Sequence, residues 1–560
     1  MPVRVLLIHP SPGDVTGGNV VHRPDLVGAS SEAVALAVRS VAPEVVITTA
    51  LEAVPAGPVV VPAGDDVTQA LIGAERACAD ALPVPITAAE GRSVTLVGAG
   101  IVNLISALSL TREGYRVTVY DRAPDPRADA HWTAYGCTRG GGDGRMFTLT
   151  EADSYNSRSR NPDGTSNELL TRPVSAHGWG VGVRTDLPET ERRWAEEFHR
   201  IPPWLADSYT EDIFSMNLAA DAGWAGLRRS DPGLFDDGTG YRDGILRLYT
   251  DEEYFRWHVA RNERVGAVRS VLTPAQVRAG YPALAAACAD GTIAGGLEVV
   301  GFTVNIHRFL ARLVTLLETE GVRFRWAEPV TGIHWSAPGV PDGLDTAAGI
   351  VRSDHYVLSP GAYDDRLLRG TLSHGRIQGM LGVWVTVPNV EPLLGHSVKI
   401  ARKGHRAEET NVTLGVDSSG APILICGSGY GWTGLDPDNV DQAELEVLFE
   451  ALEDTVRRFF PGAYAAARDA GTLEASRQVC VRPWTSSCLG VFETMITADG
   501  GALLVTGGHN TGGFAQSPVV AEAVLAALAG RPHLMHRRFH PARLERFYSL
   551  PAGTSRMITS

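Results

Sequence analysis

The chain has 560 residues, of which 44% are apolar and 20% charged, and 64 acidic against 50 basic residues give a net charge of −14. This composition can bury sizeable cores and argues against disorder, and the acidic balance disfavours nucleic acid as a partner. Six cysteines (78, 137, 288, 426, 480 and 488) with no CxxC pair argue against a disulfide scaffold or a thiolate metal site, so no metal is expected. No run of about 18 uninterrupted apolar residues occurs, so no membrane span is expected and the chain reads as cytoplasmic.

In chain order, residues 1–90 read as a small α/β module of unassigned role. Apolar β-branched runs fall at 3–8, Glu44–Thr48 and 59–61, with helical spacing at Glu32–Val41 and Asp66–Ala81. Pro83, Pro85 and the small residues up to Gly91 read as a linker. A second unit opens at Ser93. Val94–Val97 is a buried strand, Gly98-Ala99-Gly100 a tight turn, and Ile101, Leu104, Ile105 and Leu108 keep helical spacing. Arg116–Tyr120 is the next strand, closed by Asp121. Residues 151–270 show little long periodicity and are expected to form an insertion-rich cap rather than core sheet. Helices are expected at Thr273–Ala279, Ile306–Glu320 and Asp441–Phe460, strands at Ile350–Leu358 and Ala502–Thr506, and a last long helix at Val519–Ala529.

The clearest local signature is Val97-Gly98-Ala99-Gly100-Ile101-Val102-Asn103 with Asp121 21 residues beyond Gly100. The first glycine permits the strand-to-helix turn. The second lets the backbone approach a pyrophosphate, which then faces the N–H groups of the helix start. An acid at this interval accepts hydrogen bonds from ribose hydroxyls and repels a 2′-phosphate, so the cofactor should carry a free ADP ribose, as FAD and NAD do. The third glycine of the fingerprint is replaced by the larger Asn103. A second glycine-rich run, Cys426-Gly427-Ser428-Gly429-Tyr430-Gly431-Trp432, is followed by Thr433–Pro437 rather than by a helix, and is rejected as a second nucleotide site.

From about Ser93 to Pro532 the chain resembles the flavin amine oxidases of the D-amino acid oxidase, glycine oxidase and sarcosine oxidase group. Four stretches carry the likeness in order. They are the fingerprint with Asp121; Cys137–Arg145, similar to a loop that crosses the flavin; Gly301–Asn305 with Pro329-Val330-Thr331 and Val357–Ala362; and Val481–Thr485 with Gly507–Pro518. The resemblance implies an α/β (α+β overall) fold. A Rossmann-like FAD domain is split in sequence (91–150, 291–375 and 479–560), and a mixed-sheet substrate domain is threaded between its pieces (151–290 with the insertion, and 376–478). Residues 1–90 are an additional α/β module that the likeness does not cover.

The same resemblance implies FAD contacts at Gly98, Gly100, Ile101, Asn103, Asp121, Arg122, Thr138, Arg139, Gly140, Val330, Ser359 and Gly361. It implies others in the last glycine-rich loop, at Gly508, His509, Asn510, Thr511, Gly512, Gly513 and Phe514. Arg482, in its Arg-Pro context, carries over as the substrate-carboxylate anchor, a task suited to a planar guanidinium. Arg145 carries over as an arginine directed at the flavin ring. Cys480 is the candidate for a thioether to the flavin, and it shares a strand face with Arg482. Lys399 or Lys403, the only two lysines, is the candidate cation for oxygen activation. Tyr430, Trp432, Trp484 and His509 are candidates for the substrate face, with Tyr430 and His509 entered as catalytic.

The implied activity is an FAD-dependent oxidase that takes a hydride from the amine-bearing carbon of an amino acid or related amine. The products are an imine and, with molecular oxygen, hydrogen peroxide, in a reaction that suits specialised metabolism. Three alternatives stay open: an FAD dehydrogenase passing electrons to a carrier, a flavin monooxygenase, and a non-catalytic FAD-fold binding protein. Substrate identity, stereochemistry and oligomeric state are not readable from the sequence.

Overall fold

The computed structural model describes residues 4–10, 19–64, 66–87, 89–128, 145–159, 168–182, 186–363, 365–417 and 419–547. The N-terminal module contains β1 (Val5–Ile8), β2 (Val20–His22), α1 (Ser31–Val41), β3 (Val45–Thr48), β4 (Val59–Pro62) and α2 (Val67–Asp80). Its four strands are parallel in the order β2-β1-β3-β4. Both helices start where a side chain answers the free amides of the first turn. Ser30 accepts from Ala33 N, and Asp66 accepts from Thr68 N and Gln69 N.

The nucleotide-type unit follows as β5 (Ser93–Val97), α3 (Ile101–Arg112) and β6 (Arg116–Tyr120), and beyond it lies β7 (Met146–Thr148). The stretch expected to be an irregular cap instead holds α4 (Glu189–Arg200), α5 (Pro203–Ser230), β8 (Arg242–Tyr249), α6 (Glu252–Arg264) and β9 (Val268–Leu272). The correction has a physical source. The 28-residue α5 buries Trp204, Leu205 and Ile213 along with Ser208, Asp212 and Asn217. A helix enclosed on several sides, with Asp212 ion-paired and Asn217 hydrogen-bonded inside, shows no clean amphipathic stripe.

The chain continues through α7 (Pro274–Gly280), α8 (Ala285–Ala289), β10 (Gly295–Thr303), α9 (Ile306–Thr319) and β11 (Arg323–Arg325). Next come β12 (Val330–Ala337), β13 (Val340–Thr346), β14 (Gly349–Val351), β15 (His355–Leu358), β16 (Gln378–Pro388), β17 (Val398–Ala401), β18 (Glu409–Val416) and β19 (Pro422–Gly434). The C-terminal part has α10 (Gln442–Phe459), α11 (Pro461–Asp469), β20 (Gln478–Trp484), β21 (Val491–Ile496), β22 (Ala502–Gly507), α12 (Gly513–Leu528), α13 (Leu534–Arg538) and α14 (Arg543–Phe547).

Among the described residues, the second sheet runs β11-β6-β5-β15-β22-β21, all parallel except β21, and gathers strands from three distant parts of the chain. This is the split Rossmann-like sheet. The third is a nine-stranded mixed sheet in the order β20-β16-β19-β18-β17-β8-β10-β7, with β9 pairing on β10. A small antiparallel sheet, β12-β13-β14, completes the set.

α12 begins six residues before the expected Val519, so Pro518 lies inside it. A proline there cannot donate to the carbonyl one turn back, Phe514 O, and the Ser517 hydroxyl donates to that oxygen instead at 2.8 Å. α12 packs on α3 and on α5, where Trp224 Nε1 donates to Ala515 O at 3.0 Å. The N-terminal module shares this core and is held by a buried charge cluster. Arg543 pairs with Glu75 at 2.7 Å and with Asp212 at 2.7 Å, over the ring of Tyr209.

Candidate active site

The turn after β5 shows why its glycines are required. Gly98 has φ +96°, and a Cβ there would lie 2.4 Å from Ser359 O. Asn103, at the third fingerprint position, is fully buried and donates through Nδ2 to Val97 O and to Gly98 O, both at 2.8 Å. It therefore ties the turn that a glycine would merely allow. Asp121 accepts from Ala99 N at 2.6 Å and Ala123 N at 2.7 Å, which fixes its carboxylate beside the turn.

α3 starts at Gly100 and α12 at Gly512, and neither start is capped by a side chain. Both helix N-termini border one cleft of about 890 Å³, open mouth included. Gly100, Ile101, Ser359, Gly361, Gly513 and Phe514 line it. His509, Asn510 and Thr511 add the loop between β22 and α12. Gly508 makes that loop possible: its φ is +68°, and a Cβ would meet Thr485 Cγ2 at 2.7 Å. Asn510, at φ +44°, locks the loop by donating to Cys488 O at 2.8 Å and Asp153 O at 3.2 Å. Two uncapped helix N-termini and a glycine turn that brings backbone close are suited to a diphosphate and an electron-rich ring edge.

The mixed sheet forms the other wall. Arg482 lines the cleft from β20 and is buried, with its guanidinium donating to Met380 O at 3.3 Å, Leu381 O at 3.1 Å and Gly429 O. Its Cζ lies 5.2 Å from the Tyr430 ring centroid. Cys480 is buried two residues earlier, opposite Gly382 of β16, and is not among the lining residues. Tyr430, Trp484, Tyr155 and Trp179 form a closed aromatic cluster, with Tyr430 stacked on Trp179 at 4.8 Å and Tyr155 4.9 Å from Trp484. Trp432 stacks on Trp194 and donates to Gln378 Oε1 at 3.0 Å. Burial pushes the Tyr430 hydroxyl above its ordinary range.

Other expected residues take different places. The His509 imidazole bonds Gln516 Oε1 at 3.1 Å and lies 5.9 Å from the Phe539 ring, and burial lowers it to about 4, so it is neutral and set to hold the loop. Arg145 is buried and donates to Ile425 O at 3.4 Å. Arg122 lies over Tyr363 at 5.2 Å and borders a separate cavity with Arg366 and Arg369. Val330 packs with Val97 and Leu358 behind the turn. Lys403 is half-exposed near Asp251 and Glu253. Cys137, Thr138, Arg139 and Gly140 lie outside the described residues.

Lys399 is buried between two carboxylates, 3.5 Å from Glu151 and 3.3 Å from Glu409. Burial would raise the Glu409 carboxyl, but Lys399 and Arg158 overcome it and hold it below the ordinary carboxylate range. Glu151, Asn411 and Met146 also line the cleft, and sequence reasoning missed all three, while Pro483 lines it beside Arg482 in the Arg-Pro pair. Glu151 and Met146 sit at the edge of the segment read as cap. Asn411 sits in a strand, β18, with no motif of its own.

The family profile DAO, FAD dependent oxidoreductase, matches residues 93–527. A D-amino acid dehydrogenase of Methylobacterium sp. (strain 4-46) is 29% identical over 293 residues, which is 49% of this chain and 62% of that protein. The chain thus matches somewhat less than two thirds of that relative's length. Another D-amino acid dehydrogenase, from Paramagnetospirillum magneticum strain AMB-1, is 25% identical over 78% of this chain and 95% of its own length. The solved structure of glycine oxidase from Bacillus cereus ATCC 14579 superposes with a TM-score of 0.52 at 15% identity, covering 84% of this chain and all of that one. That likeness establishes the fold.

The fold and cleft define a flavoprotein oxidoreductase with a split dinucleotide-binding sheet. The chain belongs to the DAO family of FAD-dependent oxidoreductases, and its cofactor is FAD. Among the described residues, no helix is long and apolar enough to cross a membrane, and no group of His, Cys, Asp and Glu could hold a metal ion.

Proposed function

We propose that this chain oxidises the amine-bearing carbon of an amino acid to an imine, with oxygen as electron acceptor and hydrogen peroxide as product. When bound, FAD supplies the hydride-accepting chemistry of this reaction. The backbone at Gly98–Ile101, the Asp121 carboxylate and the start of α12 would hold it. The observation that carries the reading is the placement of Arg482. One buried guanidinium faces the same cleft as the two helix N-termini, pinned by three backbone carbonyls. With Nε and Nη2 engaged by these carbonyls, the proposed carboxylate contact is made through Nη1, and a carboxylate held there orients the neighbouring carbon. The aromatic cluster behind Arg482 shields that end of the cleft from water. Cys480, on the same strand face, is proposed as the covalent flavin attachment.

A carrier-linked dehydrogenase is the second reading. It is favoured by Lys399, whose charge is met by Glu151 and Glu409 instead of standing free for oxygen, and by the D-amino acid dehydrogenases among the relatives. One preparation tests both readings. FAD-loaded protein is mixed without oxygen with a panel of D- and L-amino acids, and bleaching of the flavin is followed. Bleaching supports amino acid oxidation, and a flavin that no amine bleaches overturns it. Admitting oxygen to the bleached enzyme then decides the acceptor: rapid recolouring with peroxide supports the oxidase, and recolouring only with an acceptor dye supports the dehydrogenase.

A further inference from the structure

The cleft carries hydrogen-bond acceptors that nothing among the described residues answers. Glu151 is 4% exposed and lines the cleft, and its Oε2 has no hydrogen-bond partner among the described residues. Asn411 lines the same cleft, and its Oδ1 is also buried without a partner among them. Such atoms lose solvation with no return unless a ligand donates to them.

The surroundings indicate which kind of donor. Lys399 is directly opposite Asn411 in the β17–β18 ladder, and Glu409 lies two residues before Asn411 on the same face. Lys399 is the nearest cation to Glu151 and is shared with Glu409. Arg158 is engaged by Glu408 at 3.2 Å and by Glu409 at 3.6 Å, and Arg247 donates to Thr148 Oγ1 at 2.8 Å. Among the described residues, Glu151 is therefore a cleft carboxylate that shares its cation, Lys399, with Glu409.

The distance to Arg482 sets the spacing. Its guanidinium bonds Gly429 O on β19, and Gly427 of the same strand pairs with Asn411. Two residues along a strand and one strand interval across put the backbone of Gly429, which Arg482 bonds, and that of Asn411 roughly 8 Å apart. An α-ammonium is too close to its own carboxylate to bridge that span.

We infer that Glu151 and Asn411 form a subsite for a second, distal cationic group of the substrate, an ammonium or guanidinium several bonds from the carboxylate held at Arg482. The preferred substrates are then dibasic amino acids. This inference rests on the proposed role of Arg482.

The test uses FAD-loaded full-length protein, without oxygen, and matched pairs in both configurations: lysine with norleucine, ornithine with norvaline, arginine with citrulline. The cationic member of each pair should reduce the flavin with an apparent affinity about tenfold or more tighter. Glu151→Gln should abolish the difference within each pair. Equal treatment of the pairs by the native protein overturns the subsite and leaves amino acid oxidation standing. An equal slowing of both members by Glu151→Gln also overturns it, since that would place Glu151 on the cofactor or the fold. No reduction by any member, with another amino acid of the wider panel bleaching the flavin, overturns the subsite alone, and no reduction by any amino acid overturns the proposed function itself. If the variant does not fold, the native panel alone decides.

Discussion

Asn103 donates to the carbonyl of Val97 at 2.8 Å, across the very turn where the dinucleotide fingerprint ordinarily has its third glycine. The same side-chain amide also reaches Gly98 O, so the larger residue stiffens the turn. Asn103→Ala removes both bonds and should cost about 1–3 kcal/mol, read as a lower urea midpoint and weaker FAD retention. An unchanged midpoint would show the turn to be held by its glycines alone.

Arg482 should act on binding more than on folding. Replacing it with Met should lower kcat/KM for carboxylate-bearing substrates about 10- to 100-fold, the value of a charge-assisted pair. Replacing it with Lys should recover only part of the loss, because the fork is gone. Amines without a carboxylate provide the control, and an equal loss on them would mean that Arg482 merely supports the sheet.

Acid precipitation of the yellow protein should leave the colour in the pellet, and Cys480→Ala should release it to the supernatant. Colour released from the native protein would remove Cys480 from flavin attachment and leave it as a buried strand residue.

The N-terminal module should be part of the cooperative unit. Arg543→Met leaves Glu75 buried without its guanidinium and Asp212 with only Arg76 at 3.9 Å, a loss of about 3–5 kcal/mol. The melting temperature should fall, and protease should cut the irregular segment between α2 and β5. A normal melt with an intact connection would contradict this.

Stability should fall in mild acid. Burial lowers His199, His405, His509, His533 and His540 to about 4 each. An unfolded histidine titrates near 6.5, so between about pH 6.5 and 4 the unfolded chain binds more protons, and the stability present above that window is lost as pH falls through it. Glu197, Asp207, Glu408, Glu493 and Glu522, raised by burial, oppose the trend but are fewer than the eight described histidines that burial lowers, which include His258, His355 and His536. Melting temperature at pH 5 should be below that at pH 7, and His509→Gln should shrink the difference.

The nucleotide turn is legible in the sequence because glycine spacing and the strand–helix alternation report the backbone directly. Gly100 is readable from the chain alone for that reason, whereas Gly361 and Phe514 are given only by the family resemblance. The start of α12 is hidden because Pro518 reads as a breaker, and only the Ser517 hydroxyl shows how the helix tolerates it. α5 is hidden because its enclosure on several sides erases the helical stripe. Glu151 and Asn411 are not legible at all. Their meaning comes from the pairing of β17 with β18 and from the way the mixed sheet walls the nucleotide unit's cleft, which no local pattern encodes.

The cleft between the starts of α3 and α12 and the mixed sheet has to hold FAD and deliver an amino acid to it for the proposed oxidation to occur. The visible spectrum of the purified, FAD-reconstituted protein tests this most directly, recorded without oxygen before and after adding a panel of D- and L-amino acids. The expected result is a bound flavin spectrum that bleaches on addition of at least one of them. Protein that retains no flavin after reconstitution, or holds a flavin that no amino acid reduces, would contradict it.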